Sequence, residues 1–266
     1  MKKYIVFFTV LTFALLLNSC SKVPLTGRKQ FRMLPESMVM EMSLTSYQDF
    51  LKTHPPMGAG NSSVQEVKNV GQKVSQAVNK YMNEHGYASR IKGYKWEFNA
   101  VEGKEVNAWC MPGGKVVVYS GLFPVSKDPA GLAVVMGHEI AHAIAGHGNE
   151  RMSQMLAVQL GGISLEIALQ KQPQLTRDIF LTAYGVGSTL GELAYSRQHE
   201  LEADRLGLIF MAMAGYNPDR AVTFWEDMSK AGGPKPPEFL STHPSDAKRI
   251  QQIKKYLPEA KKYYRP

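Results

Sequence analysis

Asp128-Pro129-Ala130-Gly131-Leu132-Ala133-Val134-Val135-Met136-Gly137-His138-Glu139-Ile140-Ala141-His142 is the stretch whose reading decides the fold. Aspartate ahead of proline is a helix start: the carboxylate caps free N–H groups, and proline's missing N–H costs nothing at the first helical position. Behind it runs an apolar helix broken by His138, Glu139 and His142. Residues four apart share a helix face, so both imidazoles can reach one ion. Zinc suits imidazole nitrogen, and a catalytic zinc takes three protein ligands and leaves a position for water. Glu139 points to the edge of that face, close enough to take a proton from such a water.

A third donor must come from elsewhere in the chain. The position six residues beyond His142 is Gly148, and His147 falls one residue short, at the expected helix end. There it reads as a surface histidine beside the terminal carbonyls. The run from Ser196 to Asp204 offers more. Glu200 and Asp204 are one helical turn apart on a common face, whereas Glu202 points roughly the other way. A ligand carboxylate, with an aspartate behind it holding a ligand histidine by its second ring N–H, fits the chemistry of metal sites. A solvated acidic helix face is the plainer alternative.

Outside this region, Val64, Val67, Val74, Val78 and Tyr81 recur at helical spacing, closed by His85-Gly86. Trp96 and Phe98 alternate with polar neighbours and predict a strand, as does the β-branched run from Lys115 to Ser120. An extended run from Glu105 to Cys110 joins the latter through Met111-Pro112-Gly113-Gly114, which is turn chemistry. Asn217-Pro218 repeats the helix-start device, Gly148 and Gly215 mark helix ends, and Gly232 to Pro244 is a loop before a last short helix from Ser245 to Tyr256. The fold class is α+β, a small sheet beside a helical body. Met152 to Leu169 is apolar but interrupted by Gln154, Gln159 and Glu166, and reads as a core helix.

Met1-Lys2-Lys3, the apolar stretch from Tyr4 to Leu17 and Leu17-Asn18-Ser19-Cys20 resemble a bacterial lipoprotein signal. That reading makes residues 1–19 a signal peptide, Cys20 the lipid-attachment residue, residues 20–34 a tether, 35–257 the folded domain and 258–266 a basic tail. Two acyl chains suffice for stable anchoring, and Ser21-Lys22 after the cysteine favours the outer membrane, facing the periplasm. Hydrophobic residues at 44% and charged ones at 20% are ordinary globular values and disfavour disorder or a polytopic membrane protein. The net charge of +8 comes with no basic stripe interleaved with aromatics, so nucleic acid is not an expected partner. Two cysteines exclude a disulfide framework, and Cys110 reads as a small buried hydrophobe. No oligomeric state is read from the sequence.

His138 to His142 with Glu200-x-x-Ala203-Asp204, Asn107-Ala108 with Pro112-Gly113-Gly114, and Ser241-Thr242-His243-Pro244 with Arg249 together resemble the zinc peptidase family of the CAAX prenyl protease, HtpX, BepA and mitochondrial OMA-type proteases. The resemblance runs from about Glu105 to Ile250 and rests on four separated motifs in order. It implies a mainly helical, gluzincin-type protease domain holding one Zn2+ per chain through His138, His142 and Glu200, with Glu139 as base and Asp204 and Arg249 behind the ligands. It also implies that Asn107-Ala108 lies on an edge strand to which substrate polypeptide adds as an extra strand. His243 can donate to an oxyanion or occupy the open metal position. The function this implies is endopeptidase action on unfolded or misassembled envelope proteins. Two alternatives are a metal-bearing, chaperone-like module for outer-membrane proteins and a hydrolase of cell-wall peptide amides. Trp109-Cys110-Met111 departs from the smaller residues usual there.

Overall fold

The computed structural model describes residues 20–160, 173–184, 196–230, 243 and 247–266. In chain order it contains a hairpin of β1 (Cys20–Lys22) and β2 (Lys29–Phe31), helices α1 (Glu36–Thr53) and α2 (Ser62–Glu84), and strands β3 (Glu97–Val101), β4 (Ala108–Met111) and β5 (Lys115–Tyr119). Helices α3 (Pro129–Ala145), α4 (His147–Leu160), α5 (Pro173–Tyr184), α6 (Arg197–Met213), α7 (Arg220–Lys230) and α8 (Ala247–Ala260) follow. The valine stripe of α2 is buried as its spacing predicts, and Asn61 caps the helix by accepting from the Ser63 N–H at 2.8 Å.

The α+β reading holds. β5 is central and buried along its whole length, parallel to β3 and antiparallel to β4, in the order β3-β5-β4. β4 is therefore an edge strand, with Ala108 opposite Val118 and Met111 opposite Lys115. The turn between them needs two left-handed residues, and Gly113 and Gly114 supply φ of +87° and +82°.

α3 is buried on every side from Gly131 to Ala145, as a helix apolar all round must be. Its Asp128 cap accepts from the Gly131 N–H at 2.6 Å. α3 crosses α6 where Gly137 meets Gly207. A Cβ on Gly137 would sit 2.9 Å from the Gly207 carbonyl oxygen, and a Cβ on Gly207 would sit 2.9 Å from the His138 nitrogen. Two missing side chains thus let the backbones touch, and that contact brings the acidic turn of α6 against the histidine turn of α3.

Four elements differ from the sequence reading. α3 ends at Gly146, not Gly148: Gly146 takes φ +71° and donates its N–H to the His142 and Ala143 carbonyls. A left-handed glycine two residues earlier stops the helix first. Residues 20–34 are a folded hairpin and not a tether, since Val23 is fully buried and Gln30 donates to the Ala145 carbonyl at 2.8 Å. The segment read as the start of a basic tail belongs to α8, whose last residue, Ala260, is fully buried. α1 is a helix that the periodicity reading did not name. It buries Val39, Ser43 and Tyr47, and Val39 joins residues of α4 and α5 in a second apolar cluster. Among the described residues no helix is long and apolar enough to cross a membrane. The signal segment 1–19, most of the loop from Gly232 to Pro244, and the end of the apolar stretch after Leu160 lie outside the described residues.

Candidate metal centre

His138 and His142 stand one turn apart on α3, and their Nε2 atoms are 3.1 Å apart. Glu200, from the first turn of α6, places Oε2 at 3.5 Å from His138 Nε2 and Oε1 at 3.4 Å from His142 Nε2. His243 brings Nδ1 to 3.2 Å from His138 Nε2 and 3.0 Å from Glu200 Oε1. These four side chains are buried, and one donor atom of each lies within 4.8 Å of the rest. Imidazole lone pairs converging this closely repel one another unless a proton or a cation lies among them. Nitrogen and carboxylate donors in a buried, convergent set fit zinc.

The groups behind the ligands fix their orientation. Asp204 Oδ1 lies 3.0 Å from His138 Nδ1, which leaves Nε2 to face the metal position. Arg249 donates from Nε to Asp204 Oδ2 at 2.7 Å and from Nη2 to Oδ1 at 2.8 Å, and its Nη1 lies 3.1 Å from Glu200 Oε2. The guanidinium stacks 3.7 Å over Trp225. Arg249 also donates to the His243 carbonyl at 3.0 Å, so one cation ties the α6 carboxylates to the residue completing the donor set.

Two buried carboxylates have opposite acidities here. Burial pushes Glu200 up, but His243, Arg249 and the two α3 histidines outweigh it and hold its carboxyl well below the usual range. Burial also raises Glu139, and there the neighbouring cations offset only part of it, so its carboxyl stays above the usual value. Glu139 Oε1 is buried without a hydrogen-bond partner among the described residues, with His243 Nε2 at 3.4 Å. A metal ligand must stay ionised, and a base must be able to take and return a proton.

The remaining sequence-predicted residues fall elsewhere. Asn107 is buried just ahead of β4; its main-chain oxygen accepts from Tyr119 at 3.1 Å and its Oδ1 accepts from the Ala108 N–H at 2.9 Å. With Asn107 and Tyr119 hydrogen-bonded, the antiparallel alternation turns the main-chain groups of Ala108 and Cys110 away from β5, though both residues are buried. Cys110 is a buried thiol, raised chiefly by burial. Cys20 pairs its backbone with Phe31 in the N-terminal hairpin, apart from this centre. His147 is not a surface histidine. It is fully buried, with Nδ1 2.9 Å from His142 Nδ1 and Nε2 3.0 Å from Glu202 Oε2. Glu202 faces away from the ligand set, as its spacing predicts, but into a second buried cluster with Arg28, Glu150 and His199. The sequence signal for that cluster was weak: polar residues five beyond a ligand and two beyond a ligand, and an arginine in a Pro/Gly-rich stretch.

Two histidines one turn apart, a glutamate base between them and a carboxylate ligand from a second helix define the class of HExxH zinc metallopeptidases. Residues 69–257 match the sequence model of peptidase family M48, and the chain belongs to that family. It is similar to the mitochondrial metalloendopeptidase OMA1 of Schizosaccharomyces pombe, 32% identical over 240 residues, covering 90% of this chain and 66% of that protein. It is also similar to the OMA1 of Saccharomyces cerevisiae, 29% identical over 279 residues, covering 94% and 75%. The β-barrel assembly-enhancing protease of Escherichia coli is 33% identical over 164 residues, covering 58% of this chain and 33% of that protein. The chain thus spans between a third and three quarters of the length of these relatives. Those matched over nine tenths of it are mitochondrial, which overturns the expected placement as a lipoprotein of a bacterial outer membrane. A basic, apolar leader ending in Leu17-Asn18-Ser19-Cys20 carried that expectation, and a run so short matches by chance.

Proposed function

We propose that the chain is a zinc-dependent endopeptidase acting on unfolded or misassembled polypeptides. The observation that carries this is the buried, convergent donor set of His138, His142, Glu200 and His243, with Glu139 beside it. His138, His142 and Glu200 would hold the zinc. When bound, zinc supplies a Lewis acid that polarises the scissile carbonyl and acidifies water. Glu139 accepts the proton from the attacking water and returns it to the leaving amine. Asp204 and Arg249 keep His138 and Glu200 oriented. Asn107 and Ala108, at the start of the edge strand β4, are the proposed docking point for an extended substrate added as a further strand, which favours unfolded chains over folded ones. The similarity to the β-barrel assembly-enhancing protease of Escherichia coli supports the same reading.

His243 is proposed as a fourth ligand that holds the site closed at rest. Its support is Nδ1, which lies 3.2 Å from His138 Nε2 and 3.0 Å from Glu200 Oε1. His243→Ala is expected to leave basal cleavage of an unfolded substrate unchanged or higher and to weaken zinc retention. A collapse in turnover with zinc intact would instead assign it to the oxyanion, where one lost donor costs on the order of a hundredfold. The reading as a whole is tested with unfolded casein: the zinc-loaded chain is expected to cleave it, and Glu139→Gln to be inactive at equal zinc content. Equal cleavage by both proteins would overturn it.

A further inference from the structure

Two metal-ligand histidines need two orienting partners, and Asp204 serves only His138. His142 presents Nε2 to the donor set, so its Nδ1 carries the proton and donates it to Nδ1 of His147, 2.9 Å away. His147 in turn donates from Nε2 to Glu202 Oε2 at 3.0 Å. The result is a carboxylate–imidazole–imidazole chain ending on the metal position. We propose that His147 and Glu202, clamped by Arg28 of the N-terminal hairpin, position His142, so that residues 20–34 are part of the active site.

The far end of the chain is built as firmly as the near end. Arg28 Nε donates to Glu202 Oε2 at 2.7 Å, while its Nη1 and Nη2 donate to Glu150 Oε1 and Oε2 at 2.9 and 2.7 Å. Thr26 donates its hydroxyl to the other Glu202 oxygen. His199 Nε2 lies 3.0 Å from Glu150 Oε2, and its ring stacks on His147 with centroids 4.4 Å apart. Gln30 donates to Glu150 at 3.3 Å and to the Ala145 carbonyl at the end of α3. Every acceptor on Glu202 that faces the hairpin is taken by it, so the carboxylate stays aimed at His147. A hairpin that served only to cover the core would need none of these charges. Arg28 occupies the position between the two carboxylates that a metal cation would otherwise take.

The proposal rests on His142 holding zinc, as the reading above has it. It is tested on the full chain by measuring zinc affinity through chelator competition and the visible absorption spectrum of the cobalt(II) form. Glu202→Gln keeps the shape and removes the charge, and His147→Ala breaks the chain. Each is expected to weaken zinc about ten- to hundredfold, the usual cost of an outer-shell partner, and to shift the cobalt bands. Arg28→Gln is expected to weaken zinc in the same direction and to add little on top of Glu202→Gln, because both act through one carboxylate. A merely structural role predicts lower thermal stability of the metal-free protein with unaltered affinity and spectrum, and that result would overturn the proposal. If Glu202→Gln does not fold, Arg28→Lys carries the test, and unchanged zinc affinity in it overturns the proposal equally. A wild-type chain that binds no zinc would sink the metal reading and the proposal with it. Wild-type binding with unaltered variants sinks only the proposal.

Discussion

Glu139 and Glu200 are buried to the same degree, and their neighbours alone separate them. Glu200 faces His243 and Arg249 and is held ionised, whereas burial dominates at Glu139. Divergent carboxyl acidities of this kind accord with a ligand role for Glu200 and a base role for Glu139. Glu139→Gln is therefore expected to bind zinc as the wild type does while losing turnover by roughly a hundred- to ten-thousandfold, the usual worth of a general base. Metal analysis beside a cleavage assay checks both halves, and loss of zinc in this variant would move Glu139 into the ligand set. Glu200→Ala is expected to lose the metal outright, whereas Glu202→Gln only weakens it; equal losses would show that the ligand lies on the wrong face of α6. At this scale the sequence was informative where spacing within one helix set the geometry: His138 with His142, and Glu200 with Asp204. It was silent where partners met across the chain, as Arg28 does with Glu150 and Glu202.

Between elements, the decisive feature is the contact of α3 with α6 at Gly137 and Gly207. No side chain can stand between these backbones, since a Cβ at either glycine would lie 2.9 Å from backbone atoms of the other helix. Gly207→Ala is expected to push the helices apart and cost about 1–3 kcal/mol, as overpacking does. Urea unfolding of the metal-free protein reads that cost. A matching loss of zinc affinity is expected, because Glu200 and Asp204 move with α6. Unchanged stability and unchanged affinity would show that the crossing yields without consequence. The caps and turns around this pair were legible in the residues: Asp128 before Pro129, and Gly113-Gly114 between β4 and β5. α1 was not, because one of its three buried positions, Val39, Ser43 and Tyr47, is a serine. The glycine crossing was invisible too, since an isolated glycine in a helix carries no sign of what approaches it.

Over the whole molecule, the N-terminal hairpin is joined to α4 and α6 by buried charge. Burial pushes Glu150 up, but His199 and Arg28 more than offset this and hold its carboxyl well below the usual range. A carboxylate depressed on folding contributes stability that is present above its unfolded value near 4.5 and is lost as pH falls below it. Acid unfolding of the wild type is thus expected to steepen below about pH 4.5, with Glu150→Gln flatter in that window. Parallel profiles would remove Glu150 from the balance. Proline, glycine and basic residues made this segment resemble a tether, and its function became visible only when the folded chain set Arg28 between two carboxylates.

The central claim is that zinc sits between His138, His142 and Glu200, and diffraction from crystals of the zinc-loaded chain at the zinc absorption edge tests it most directly. One anomalous peak per chain is expected, with histidine nitrogens at about 2.0–2.1 Å and a Glu200 oxygen at about 2.0–2.2 Å. No peak among these residues, or a peak ligated by Glu202 in place of Glu200, would contradict it.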